Sequence, residues 1–210
     1  MNSTSCFMRF LCLAVASMLL SGCLLKTATV PPRQFVLASI PANELAPAAT
    51  EDLSVVIGFV KMPSYLLAKP MAVRQGASEI QYFENAVWAE RLDHSFEMAL
   101  AANLSRLLST DRVYLTDWPH DHVMLRVVVQ VQQFDIDTHG RGTLIAHWKI
   151  TAPDGQLPLK SGNARLNKIG AAPHGNPEVI ATTLSHLAAD FSSQLAQDIR
   201  HARMFGHDHE

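Results

Sequence analysis

Cysteine is nearly absent, and what there is sits at one end. Cys6, Cys12 and Cys23 are the only three in a chain of 210 residues, so everything beyond residue 23 can form neither a disulfide nor a thiolate metal site. Zinc fingers, iron–sulfur clusters and cysteine nucleophiles are thereby excluded from the body of the protein. Charge of one sign is also lacking: 17 basic residues face 19 acidic ones, the formal net charge is −2, and no run of Lys or Arg is present to neutralise successive phosphates. Nucleic acid is not an expected partner. The charged fraction is 17%, below the ~25% usual for soluble domains, which leads us to expect that a partner or lipid covers part of the surface. Minimal catalytic signatures are missing too, since no Gly-x-Ser-x-Gly elbow, His-Glu-x-x-His helix or Gly-x-x-x-x-Gly-Lys-Ser/Thr loop occurs. The length suits one domain, two at most.

What is present begins with an address. Residues 1–22 carry one charge, Arg9, followed by the apolar run Phe10 to Leu20, too short to cross a hydrocarbon core of about 30 Å as a helix. It reads as a secretory signal. Leu20-Ser21-Gly22-Cys23 resembles a bacterial lipobox, which implies cleavage before Cys23 and acylation of its thiol. Several acyl chains would hold the protein on its membrane essentially permanently. Residue 24 is Leu rather than Asp, and by resemblance to enterobacterial sorting this points to the outer membrane. The expected division is therefore 1–22 signal peptide, 23–32 lipidated Cys and tether, 33–206 body and 207–210 tail. Nine extended tether residues reach roughly 30 Å, so the body works close to its membrane.

Within the body, Arg33 to Ala38 and the apolar Leu53 to Val60 read as strands, joined by the Pro/Ala-rich stretch from Pro41 to Asp52. Met71 to Arg74 and Glu79 to Phe83 flank Gln75-Gly76-Ala77-Ser78 as a hairpin. A long helix is expected from Ala86 to Leu108, with Asn85 as its cap and Leu92, Phe96, Leu100, Leu104 and Leu107 forming one stripe. From Val123 to Val131 apolar and polar residues alternate, and Phe134 falls out of phase, as a bulge at Gln132-Gln133 would produce. Thr143 to Thr151 and Leu157 to Ile169 follow across Pro153-Asp154-Gly155 as an antiparallel meander. A last helix opens at Asn176-Pro177-Glu178 and buries Ile180, Leu184, Leu187, Phe191, Leu195 and Ile199. The expected fold is a single α+β domain, a largely antiparallel sheet with two long helices packed on it.

Several segments together carry a family resemblance. Pro63-Ser64-Tyr65-Leu66, Pro70, Val73-Arg74, Trp88-Ala89-Glu90 with Leu92, Leu100 and Asn103-Leu104 stand in this order, with Phe35-Val36-Leu37 and Phe134-Asp135 on either side. The pattern resembles the ABC-type transport auxiliary lipoproteins. Leu67-Ala68-Lys69 departs from it where an acidic and a basic residue are commoner, and Arg91 departs where proline is expected. The resemblance implies a non-enzymatic periplasmic subunit of a lipid-transport system, with no cofactor, anchored to the outer membrane and paired with an MCE-domain protein. It also leads us to expect a homo-oligomer, a closed ring.

Read one at a time, the signature residues have two uses each. Trp88 is a core anchor or an interface residue. Tyr65, Leu66 and Leu67, stiffened between Pro63 and Pro70, pack under the sheet or fill a neighbour's pocket. Arg74 pairs with Glu90 or Glu79, or is a solvated surface residue. Interface candidates are thus Pro63, Tyr65, Leu66, Leu67, Arg74, Trp88 and Glu90. The pairs in His120-Asp121-His122 and His207-Asp208-His209 suggest adventitious metal binding only, and no metal site is expected. Asp135 and Asp137 face the same way on a strand end, which a solvated terminus explains better than a catalytic pair. Alternative readings are an accessory lipoprotein of another envelope or secretion machine, and a lipid-anchored hydrolase.

Overall fold

The strand Leu125–Asp137 organises the molecule. Its alternation puts Leu125, Val127, Val129 and Val131 in the core, and a register shift between Val131 and Gln133 then returns Phe134 and Ile136 to the same side. This is the bulge that the out-of-phase Phe134 implied. A computed structural model describes residues 31–41, 52–116 and 123–206, and the two histidine-rich segments and Cys23 lie outside these. Pro32–Glu210 is one unit, separate from Met1–Pro31. In chain order the strands are β1 (Arg33–Phe35), β2 (Val55–Ile57), β3 (Pro70–Gln75), β4 (Glu79–Trp88), β5 (Val113–Leu115), β6 (Leu125–Asp137), β7 (Arg141–Thr151) and β8 (Pro158–Ile169). Helix α1 is Leu92–Leu107 and α2 is Pro177–Gly206, and a 3-10 turn spans Ser64–Leu67.

The sheet forks at β6. Along one edge β6 pairs with β7 over its whole length, and β7 pairs with β8, both antiparallel. Along the other edge the first half of β6 takes β2 and then β5 in parallel, while its end takes β3, which leads to β4 and β1. The sheet is largely antiparallel but not wholly so, because β1–β4, β2–β5, β2–β6 and β3–β6 are parallel contacts. Between the two branches the chain from Lys61 onward fills the gap. Lys61 bridges Gln130, and the 3-10 turn follows, with the Leu66 amide donating to the Pro63 carbonyl.

Both helices pack on one face of the sheet. Phe96 of α1 meets Phe134 edge-on with ring centroids 5.1 Å apart and Phe191 of α2 at 6.0 Å. Asn176 caps α2 through its Oδ1, which accepts the Glu178 amide at 3.1 Å, and the expected stripe from Ile180 to Ile199 is buried. Helix α1 begins at Leu92, the first residue of the expected stripe, and not at Ala86. Ala86, Val87 and Trp88 belong to β4, where they align with Arg33, Gln34 and Phe35 of β1. Asn85 therefore caps nothing, and Arg91 occupies the N-cap without a side-chain capping bond. A parallel partner some fifty positions earlier leaves no local mark in the sequence. After β1 the chain crosses the helix pair as a strap. The Leu37 amide donates to Ser95 Oγ, Ala38 to Ser185 Oγ and Ile40 to Asn103 Oδ1.

Candidate functional site

Three of the signature residues, Tyr65, Arg74 and Asp135, converge at the fork. Arg74 aligns with Asp137 where β3 meets β6, which sets it diagonally beside Asp135 on the face of the sheet away from the helices, while Phe134 and Ile136 point to the core. Tyr65 comes down on the same spot from the 3-10 turn. Its hydroxyl donates to Asp135 Oδ2 at 2.7 Å, Arg74 Nη2 donates to the same oxygen at 2.6 Å, and Arg74 Nε lies 3.2 and 3.1 Å from Oδ1 and Oδ2. Arg74 Nη2 also donates to the Tyr65 hydroxyl at 3.1 Å, and Gln133 Nε2 donates to Asp135 Oδ1 at 2.8 Å. Tyr82 fixes the turn from outside by donating its hydroxyl to the Tyr65 carbonyl at 3.0 Å.

The Asp135 side chain is only 2% exposed and that of Arg74 is 23% exposed. Ionic bonds in such a place are strong only because each lone pair has a donor. Burial, and then the Asp135 carboxylate, push the Tyr65 phenol well above its usual value, so it stays a neutral donor. The hydrogen bond to Asp135 pushes Arg74 upward. Chemically the cluster is a closed brace. Tyr65 is held protonated, the carboxylate is saturated with donors, and the guanidinium is spent on both.

Asp135 is thus no solvated strand terminus. Asp137, two positions on, does separate work, accepting the His139 and Arg141 amides across the β6–β7 turn at 2.9 Å each. That turn needs Gly140, whose φ is +87° and whose missing Cβ would lie 2.5 Å from the carbonyls of Gly170 and Ala171. Arg74 pairs with neither Glu79 nor Glu90, because Glu79 sits at the hairpin tip opposite Gln75 and Glu90 lies past the end of β4. Nothing local marks the bond that does form, which joins residues 61 positions apart.

The expected interface residues divide. Leu66, 3% exposed, and Trp88, 2% exposed, are core, so neither side chain is offered to a neighbour by this fold. Leu66 turns inward into the hydrophobic core, on the side where the 3-10 turn meets α1. Trp88 ends β4 opposite Phe35 of β1, its amide bonded to the Lys69 carbonyl. Pro63, Tyr65, Leu67 and Arg74 are half-buried around the brace, and Glu90 is exposed, 3.7 Å from His94. The same imidazole lies 3.5 Å from Glu97, whose Oε1 accepts the Val60 amide at 2.6 Å and whose carboxyl burial pushes upward in pKa. Among the described residues no group of three His, Cys, Asp or Glu is placed to hold a metal, and no helix is long and apolar enough to cross a membrane.

A forked sheet with two helices on one face and a braced signature turn define a single α+β body. The chain belongs to the family of ABC-type transport auxiliary lipoprotein components, whose model matches residues 35–196. Two solved structures are similar in fold. One, of an uncharacterized protein, has a TM-score of 0.65 at 19% identity and covers 81% of this chain and 99% of its own. The other, a DUF330-family protein from Xanthomonas campestris, has a TM-score of 0.67 at 12% identity and covers 85% and 99%. No curated protein matches the chain.

Proposed function

We propose that this protein is a non-enzymatic outer-membrane lipoprotein that docks an envelope-spanning, MCE-type lipid transporter at that membrane and supports membrane integrity. The observation that carries the reading is the family match over residues 35–196. The brace agrees with it, since ionisable groups consumed by one another set the shape of a surface rather than activate a substrate. In this role Cys23 supplies the anchor, residues 24–32 set the reach, and the body, assembled as a homo-oligomeric ring, receives the end of the partner's tube.

Two experiments test it. Affinity capture of the tagged, lipidated protein should recover an MCE-domain subunit, whereas recovery of secretion or assembly components alone would replace the reading. Labelled palmitate should enter the native chain and not Cys23→Ala. Incorporation into that variant would remove the lipobox from the argument.

A further inference from the structure

The face of the sheet opposite the helices has a charge of its own. Lys61, Lys149 and Arg165 are exposed on it. Their side follows from register: Lys61 bridges Gln130, Gln130 aligns with His147, Lys149 with Val128 and Arg165 with Ile145. Among the described residues none of the three has an ion pair. Around them stand neutral hydrogen-bonding groups, with His147 held between Gln132, at 2.8 Å, and Asn163, and exposed Ser161 and Asn167 alongside. Among the described residues, Asp135, Asp137 and Asp154 on this face are spent or peripheral. Asp135 belongs to the brace, and Asp137 and Asp154 each accept backbone amides in the turns at the two ends, next to Arg141 and Arg126. The lysines on the helix side of β8 contrast with these three, because Lys160 and Lys168 are paired with Asp198 and Asp190 of α2. A chain with a net charge of −2 therefore presents one side on which the described charges are cationic, with Val128 and Ile169 among its exposed apolar residues.

We propose that this face rests on the anionic phospholipid headgroups of the membrane that carries the protein's lipid anchor. Strand spacing and rise put the three cations roughly 12 to 16 Å apart, too far to close on one phosphate and suited to a surface that offers many. A few dispersed cations bind anionic bilayers weakly, at about 1 kcal/mol each near the surface. That is little for a free protein. It is enough for one tethered by nine residues, because the tether makes the second contact intramolecular. This step rests on the acylation of Cys23 proposed above.

The lack of cysteine in the body makes the test direct. With Cys23 acylated and the signal removed, Ser161→Cys on this face or Gln197→Cys on the exposed side of α2 is the sole thiol for a fluorophore. Full-length protein purified with its lipid is placed in vesicles of phosphatidylcholine with or without phosphatidylglycerol, and quenching by headgroup-labelled lipid is read. The label at 161 should be quenched several-fold more than that at 197 in anionic vesicles only, and high salt should erase the difference. Changing Lys61, Lys149 and Arg165 together to Gln should erase it too, at an unchanged melting temperature. Equal quenching at both positions, or a preference indifferent to salt and to the triple variant, overturns the proposal. So does a triple variant that keeps its orientation but loses a co-purifying subunit, which would assign the face to an acidic protein. Failure to float with neutral vesicles refutes the anchor instead. In that event low-salt floatation with anionic vesicles decides: binding that falls roughly tenfold or more in the triple variant supports the face, and no binding sinks it.

Discussion

Asp135 and Arg74 are unequal partners, and the inequality is testable. Arg74→Ala strands a carboxylate that is 2% exposed, and breaking such a pair costs about 3 to 5 kcal/mol. Asp135→Ala frees a guanidinium already in contact with water, which can turn outward, so we expect a smaller loss of about 1 to 3 kcal/mol. The double variant should cost clearly less than the two added together. Denaturant melts of the three variants check this, and equal single costs with an additive double would mean that the brace is not a unit. Tyr65 adds an alkaline signature. A phenol raised on folding contributes stability that is whole below its unfolded value near 10 and is lost as pH rises through the folded value. The melting temperature should fall above about pH 10, and the fall should shrink in Tyr65→Phe. Glu97 has the same sign in the acidic range. Its carboxyl is raised chiefly by burial, so its contribution is present at low pH and lost on rising through its folded value. Glu97→Gln keeps an acceptor for Val60, and should be neutral to stabilising at pH 7 while flattening the pH dependence there.

At the scale of elements, the 3-10 turn and the β7–β8 ladder are where packing is least forgiving. Leu66 enters the core from the turn, so Leu66→Asp places a charge in an apolar site and should unfold the domain as badly as Phe191→Ala, which costs about 3 to 5 kcal/mol. A folded Leu66→Asp protein would return that side chain to the surface. Gly162 lies against Trp148, and a Cβ there would stand 2.5 Å from the indole. Gly162→Ala should cost about 1 to 3 kcal/mol by overpacking, and Trp148→Leu should recover part of it in the double variant. What the sequence made legible was periodic and local: the stripe of α2 and its Asn176 cap, the bulge in β6, the β3–β4 hairpin and the β6–β8 meander. The parallel ladders escaped because their partners are remote, and with them the strand character of Ala86–Trp88. The site was half legible. Tyr65, Arg74 and Asp135 were each singled out, but only the fork joins a turn, a hairpin and a strand end that lie up to 70 residues apart.

The whole molecule depends on how its N-terminal segment leaves the body. The proposed tether could transmit position and orientation only from a fastened start, and the described chain is fastened three times before Pro41. Leu37 is buried, and the amides of Leu37, Ala38 and Ile40 are held by Ser95, Ser185 and Asn103. Asn103 is fully buried and also donates to Ser192 Oγ at 3.1 Å, so the strap ties α1 to α2 as well as to itself. Removing it would uncover Leu37's site and leave Asn103 short of a partner in an apolar setting, a cost of about 1 to 3 kcal/mol for the amide alone. A chain beginning at Pro32 should therefore melt like the full-length protein, while one beginning at Pro41 should lose several kcal/mol or fail to fold. If the ring is built by the body, light scattering should give the Pro32 form a mass above the monomer at tens of micromolar. A Pro32 form that melts normally but stays monomeric would place assembly in the lipid or the tether, and an intact Pro41 form would show that the strap only lies on the helices without joining them.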